Sequence, residues 1–391
     1  MGEGLETVIQ SDLARVTVII PTFCRPDAIR RQFEYWTDSA AKVFILDGSP
    51  EPFPWAMSQV GHKNVFYMHT GTSFSERRTS AGKLISTEFA ILLPDDEFHL
   101  KSGLSDCVQY LDSHSDVIGC AGKVLGFFVE QGEFRAFINY EDWRRFPDSC
   151  KSARDRLDFA LPPNKAHKVE CSLFRAKIWN QIFSESYSST YSCGFTYERL
   201  LNLYAAVLGR TELIDSVLWM RSLENPPTHS PDVPRLKQHS FVEWATSGNF
   251  ETEVQHFSGK AKSIIRTSQE LSDHEVEIFS QRFLLGGVQR QMAKEQRRNG
   301  RLRRKVGSLT VRLAPPTLKR WSKRYLPNRL LGFTGWKGER LDLVRNRLIA
   351  KKISFSEQDL ERIAALSLKY YRAVRVCDLG VGTQAAKGSR L

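Results

Sequence analysis

The sequence predicts an α/β fold with a mostly parallel central sheet, followed by a basic α-helical C-terminal extension. Four apolar, β-rich runs recur at intervals of roughly 25 residues in the first third of the chain, with helix-like segments between them. That alternation is the mark of βαβ units. Each run is continuous rather than alternating, as expected of strands covered on both faces. The charge is also segregated: residues 282–352 hold 21 Lys or Arg against 3 Asp or Glu, so a net +12 chain divides into a segment of +18 and a remainder of −6.

The elements follow in order. "VTVIIP" (16–21) is the first strand. "PDAIRRQFEYW" (26–36) opens with Pro-Asp and sets Ile29, Phe33 and Trp36 on one helical stripe. "KVFILD" (42–47) and "NVFYMH" (64–69) are the second and third strands. "SFSERRTSAGKLIS" (73–86) begins with a Ser cap and Glu76, a helix start. "FAILLP" (89–94) is the fourth strand. Beyond it, 124–140 reads as a hairpin around Gln131-Gly132, 150–165 as a loop or flap, and 169–183 as a strand and then a helix. Residues 191–209 read as a Gly-bearing turn opening a helix, 212–222 as a strand and 224–235 as a Pro-rich loop. The expected organisation is a tail (1–14), an α/β domain (15–240), a basic helical region (241–375) and a flexible tail (376–391).

Composition narrows the class. With 391 residues, 41% hydrophobic and 11% aromatic, the chain can bury a real core. Its seven cysteines are scattered and never in CxxC spacing, which favours a reducing compartment over a disulfide framework or zinc ribbon. The N-terminal stretch lacks the basic and apolar regions of a secretory signal, and no apolar run is long enough to span a bilayer.

The fourth strand runs into Asp95, Asp96 and Glu97. One reading is a solvated strand exit. The other is a hard-oxygen site for Mg²⁺ or Mn²⁺, in which the ion relieves the repulsion and bridges a diphosphate. Thr22 and Asp47 end the first two strands and point to the same rim, where α/β sheets bind ligands.

"VTVIIPTFCRPDAIRRQFEYW", "FILDGS" and "SERRTSAGKLISTEFAILLPDDEF", followed by "SLFRAKIW", "GFTYERL" and "ELIDSVLWMR", resemble the family 2 glycosyltransferases of GT-A fold, in the style of bacterial surface-polysaccharide enzymes. The resemblance covers residues 15–222. It implies transfer of a sugar from a nucleotide-diphosphate donor to a glycan or lipid-linked acceptor, with inversion and with Mn²⁺ or Mg²⁺. Carried over residue by residue, Thr22 touches the base or ribose and Asp47 accepts from the base. Arg77 or Arg78 lies beside the uracil or phosphates, Asp95 lies near the ribose, and Asp96 or Glu97 ligates the metal, with His229 as a further ligand. The second strand ends in one Asp where the family has two, and the acidic cluster ends in Glu. The general base falls on Glu198, preceded by Tyr197 where the family has Glu; the rival is Glu141-Asp142.

The basic segment 282–352 interleaves cations with Leu, Trp, Tyr and Phe. Three readings stand: an interfacial helix on an anionic membrane, a solvated helical hairpin, and a nucleic-acid surface. Without a nucleic-acid motif, no nucleic acid is expected. The expectation is a cytoplasmic protein on the inner face of a membrane. The competing function is a non-catalytic polyanion binder with a degenerate sheet domain.

Overall fold

The computed structural model describes residues 2–59, 63–161, 166–167, 169–187, 189, 191–225, 239–289, 292 and 338–370. The elements begin α1 (Gly2–Leu13), β1 (Val16–Thr22), α2 (Pro26–Trp36), β2 (Lys42–Asp47), α3 (Pro54–Met57), β3 (Val65–His69), α4 (Phe74–Ser80), β4 (Phe89–Leu92), β5 (Phe98–His99) and α5 (Lys101–Ser113). They continue with β6 (Val117–Glu130), β7 (Glu133–Asn139), α6 (Ala153–Ala160), β8 (Leu173–Arg175), α7 (Ala176–Ser186), α8 (Phe195–Leu208) and β9 (Arg210–Ser222). The helical part follows: α9 (Phe241–Thr246), α10 (Glu251–Arg266), α11 (273–289), α12 (Leu341–Ala350) and α13 (Glu357–Lys369).

Among the described residues the sheet has nine strands in the order β3-β2-β1-β4-β8-β6-β9-β5, with β7 paired to β6. The four strands read from the sequence, β3, β2, β1 and β4, are parallel, as are β6 and β9. The short strands β8 and β5 run antiparallel to their neighbours. Parallel neighbours need crossovers, so the carboxyl ends of β1, β2 and β4 emerge on one rim.

Side chains alternate across the pleat. Val18, Ile20, Val43 and Ile45 face a layer holding Phe33, Trp36, Leu104 and Ile363. Ile19, Leu46, Ala90 and Leu92 face Trp179, Ile182, Leu200 and Phe257. The chain is therefore a three-layer α/β/α body, and both faces are dry, which explains the unbroken apolar runs.

Two segments differ from the sequence reading, and the helices expected in the C-terminal region are present. Within residues 1–14, expected as a tail, Gly2–Leu13 form α1. Leu13 is buried, and Asp12 accepts hydrogen bonds from Ser105 Oγ (2.6 Å) and Gln109 Nε2 (2.9 Å) on α5; two inward residues, Ile9 and Leu13, are too faint a pattern to read as a helix. Within the polar stretch 150–165, α6 starts at a capping box in which Ser152 Oγ accepts from Asp155 N and the Asp155 carboxylate accepts from Ser152 N. The C-terminal helices return to the body: Asp359 accepts from Ser102 N at 3.1 Å, and Arg362 donates to Asp38 and to the Glu34 carbonyl.

The hairpin fell where expected, with Gln131 and Gly132 at φ of 53° and 80°, the two positive values a two-residue hairpin turn demands. The cap at Ser73 also stands: Ser73 Oγ accepts from Glu76 N at 3.3 Å, and Glu76 Oε2 accepts from Ser73 N at 2.8 Å. Ser73→Ala is expected to cost about 1 kcal/mol in urea-unfolding stability; an unchanged midpoint would show that the cap contributes nothing to holding α4.

Candidate active site

The rim at the ends of β1, β2 and β4 is one connected polar site. Thr22 lies directly across from Asp47 in the β1–β2 register. Thr22 Oγ1 donates to Asp95 Oδ2 at 2.6 Å. Arg25, at the start of α2, spans two acids: Nη1 donates to Asp95 Oδ1 at 2.6 Å and Nη2 to Asp96 Oδ2 at 2.9 Å. Asn225 Nδ2 donates to Asp96 Oδ2 at 2.7 Å. Below them, fully buried Arg31 donates to the Asp96 carbonyl and, at 3.1 Å, to Glu224 Oε2. Gln32 Nε2 donates to the carbonyls of Asp95 (3.0 Å) and Glu97 (2.7 Å). One helix thus supplies the side chains that hold the acidic turn.

These contacts set the protonation of the acids. Burial pushes the Asp95 carboxyl up, against the opposing charge of Arg25. Burial acts on Asp96 as well, but there the charge and hydrogen bond of Arg25 win and hold it below the usual range. Glu97 is raised well above the usual range by burial and by Asp96; Trp219 Nε1 donates to its Oε2 at 2.6 Å.

Asp47 is buried and accepts from Ser49 N (2.9 Å), Ser49 Oγ (2.5 Å) and Tyr67 OH (2.5 Å). The two arginines of α4 separate here. Arg77 packs on the end of β2, donating to the Thr72 carbonyl. A Cβ at Gly48 would stand 1.5 Å from its Nη1, so glycine is what lets the guanidinium in. Burial lowers its pKa, opposed by the charges of Asp47 and Asp95. Its buried Nε has no hydrogen-bond partner among the described residues. Arg78 has different partners. It donates to Tyr187 OH, lies 3.7 Å from Glu170 Oε1 and covers the Phe74 ring at 3.7 Å.

Glu198 sits in the first turn of α8. That end of the helix is pinned to α4 through Tyr197 OH, which accepts from Ser75 Oγ at 3.1 Å. Arg221 on β9 donates to Tyr140 OH, and although burial lowers its pKa, the charges of Tyr140, Glu97 and Glu198 raise it overall. Glu198 also lines a half-open cavity of about 230 Å³ with Trp143, Phe195 and Asn202. The rival pair lies outside this enclosure: Glu141 and Asp142 are exposed, with Glu141 3.5 Å from Lys351 Nζ.

The oxygens of Asp95, Asp96 and Glu97 are the chemistry a divalent ion needs. As arranged they face side-chain donors rather than a common centre, and among the described residues no three His, Cys, Asp or Glu side chains gather as a metal requires. In this arrangement the carboxylates of Asp95 and Asp96 hold the Arg25 guanidinium. His229 lies outside the described residues, as do 290–291 and 293–337 of the basic segment. Arg282, Arg345 and Arg347 are described, and they pair with Asp158, Glu361 and Glu339. No helix among the described residues is long and apolar enough to cross a membrane.

Sequence reading missed Arg25, Arg31, Gln32, Tyr67 and Glu170. The arginines carried a usable signal: an acidic triplet on a buried strand implies nearby cations, and α2 brings two arginines to the adjacent strand end.

No family model and no curated protein matches the chain. Among solved structures it is similar to S. aureus TarS 1–349, at 14% identity over 92% of this chain and 91% of that one, with a TM-score of 0.46. The same protein in complex with UDP-GlcNAc gives 14% identity over the same shares and a TM-score of 0.44. The mannosyltransferase PcManGT from Pyrobaculum calidifontis, in complex with GDP-Man and Mn²⁺, gives 12% over 92% and 88%, with a TM-score of 0.40.

His167, beside the Glu198 cavity, and His99, next to the acidic turn, are buried and neutral, each pushed by burial down to about 4. The unfolded chain binds protons at both near pH 6.5, so the stability from keeping them neutral is present above that pH and lost as pH falls toward 4. His167→Gln, whose amide reaches the position of the ring Nε2 that meets Thr211 Oγ1 at 2.9 Å, is expected to flatten this acid limb in urea titrations run from pH 7.5 to 4.5; a limb of unchanged slope would rule out the buried neutral state of His167.

Proposed function

We propose that the chain is a GT-A-type glycosyltransferase that moves a sugar from a nucleotide-diphosphate donor to a carbohydrate-bearing acceptor. The observation that carries this reading is the single rim on which Thr22, Asp47 and Asp95 meet two guanidinium groups, Arg25 and Arg77, with Glu198 in the first turn of α8, an end tied to α4 through Ser75 and Tyr197. Neutral and anionic oxygens suit a base and ribose, and guanidiniums suit a diphosphate. A degenerate sheet domain has no need to bury these charges.

In this reading Asp47, Thr22 and Asp95 hold the nucleoside, and Arg77 and Arg25 turn toward the diphosphate. Glu198 takes the proton of the acceptor hydroxyl as its oxygen bonds to the anomeric carbon. The bond from that carbon to the diphosphate breaks on the opposite face, the nucleoside diphosphate leaves with the electron pair, and the configuration inverts. The charge growing on the leaving oxygen meets preformed cations in a dry site, where such stabilisation is strongest. We further read the basic segment 282–352 as a patch for an anionic membrane surface, with the acceptor a glycan or a lipid-linked glycan at that surface.

Thermal-shift titration with UDP, GDP, CDP and dTDP and their sugars tests the donor. One nucleoside diphosphate is expected to raise the melting temperature in EDTA as well as in Mn²⁺, in proportion to RT ln(1 + [L]/Kd). Arg25→Ala is expected to weaken that diphosphate about tenfold or more while leaving the monophosphate nearly unchanged. Binding that appears only with Mn²⁺ or Mg²⁺ would return the acids to the ligand role read from sequence. No shift with any nucleotide would refute the donor assignment. Separately, Glu198→Gln is expected to lower sugar transfer by about 10²–10⁴-fold with donor affinity retained, and transfer near wild-type level would remove Glu198 as base.

A further inference from the structure

A row of aromatic rings runs from the acidic turn toward the Glu198 cavity. At the end of β7 the backbone of Tyr140 turns into the left-handed region, φ +54°, with Asn139 Oδ1 accepting from Tyr140 N at 2.9 Å. A non-glycine residue held there carries local strain. Here the turn stacks Tyr140 on Trp143, with centroids 4.4 Å apart and planes 8° from parallel. The Tyr140 ring also lies near parallel to Trp219, at 6.2 Å and 22°. Arg221 donates to Tyr140 OH, and Trp219 donates to Glu97, so the row is tied to the acidic turn. Trp143 is half-buried and forms a wall of the cavity that also holds Glu198 and Asn202.

The cavity therefore offers a flat apolar wall on one side and a carboxylate on another. A pyranose has matching chemistry: one or both ring faces carry C–H bonds, and the edge carries hydroxyls. An acyclic polyol has the hydroxyls but no face to stack. At about 230 Å³ the space is smaller than the roughly 300–1,000 Å³ of drug-sized sites and suits one ring.

We propose that Trp143 is the platform on which the acceptor's pyranose ring stacks, with an edge hydroxyl presented to Glu198. This rests on the glycosyl-transfer reading and names the acceptor class for that same site. Trp143 sets acceptor affinity and takes no part in bond making. The strain at Tyr140 serves to aim it.

Saturation-transfer NMR on the full chain tests the idea. The probes are the methyl pyranosides of glucose, galactose, mannose and N-acetylglucosamine, with ribitol as the acyclic control. At least one pyranoside is expected to receive saturation through its ring C–H protons, with ribitol at background. Trp143→Ala is expected to lower that signal about tenfold or more, and Trp143→Phe to retain most of it. The nucleoside-diphosphate thermal shift reports in the same samples whether the fold and donor site are intact. Ribitol equal to the pyranosides, no pyranoside signal, or a signal untouched by Trp143→Ala overturns the proposal. The comparison of ring and acyclic probes on wild-type protein decides even where Trp143→Ala fails to fold. Pyranoside binding at Trp143 with no nucleotide binding would strike down the donor reading and leave the ring platform standing.

Discussion

The constraint that organises this molecule is the burial of three consecutive acids at the end of β4. Two carboxylates 4 Å apart repel by about 4 kcal/mol at an effective dielectric of about 20, comparable to a large part of a domain's net stability. The fold answers with α2. Arg25 spans the side chains of Asp95 and Asp96, while Arg31 and Gln32 take the carbonyls of the same turn. The helix that crosses over between β1 and β2 is therefore also the counter-charge for β4, and the order of the parallel strands makes that economy available. β1 sits between β2 and β4, so a helix leaving β1 starts beside the end of β4.

The counter-charge is incomplete, and the shortfall has a direction. Asp96 is held low by Arg25, yet Glu97 is held high by burial and by its acidic neighbour. On the other side, Arg77 is buried against Asp47 and Gly48 with an Nε that no described group satisfies. A site selected for stability alone would remove Glu97 and satisfy Arg77. Retaining a costly carboxylate and a costly guanidinium on one rim is what a binding site looks like when its ligand supplies the missing partner.

Much of this was legible in the sequence because it is local. Continuous β-branched runs fixed the parallel strands, the polar residues at their ends fixed the rim, and Ser73 with Glu76 fixed the start of α4. What was hidden depends on contacts between distant residues. Arg25 meets Asp95 across 70 positions, and Trp219 meets Glu97 across 122. Nothing in "FCRPD" shows that Cys24 turns at φ 55° and that its N–H is held by Ser49 Oγ at 2.8 Å, the bend from which the chain enters α2. Arg77 and Arg78 were equivalent in sequence. The periodicity of a helix sends adjacent side chains about 100° apart, so the two take different partners: Arg77 the Thr72 carbonyl, Arg78 Tyr187 OH. The α1 and α6 helices were missed for a different reason: each is held by a few contacts or a cap rather than by a broad apolar stripe.

The last step concerns how the two halves of the site stay in register. Glu97 is bonded to Trp219, Trp219 lies near parallel to Tyr140, and Tyr140 is stacked on Trp143 at the cavity wall. β5 and β9 pair directly, His99 against Trp219, so this contact is anchored in the backbone as well as the side chains. Packed aromatic rings do not deform smoothly; they keep one arrangement or move to another. The row thus links the acidic turn to the wall of the cavity that Glu198 also lines, and the positive φ of Tyr140 is the bend within it.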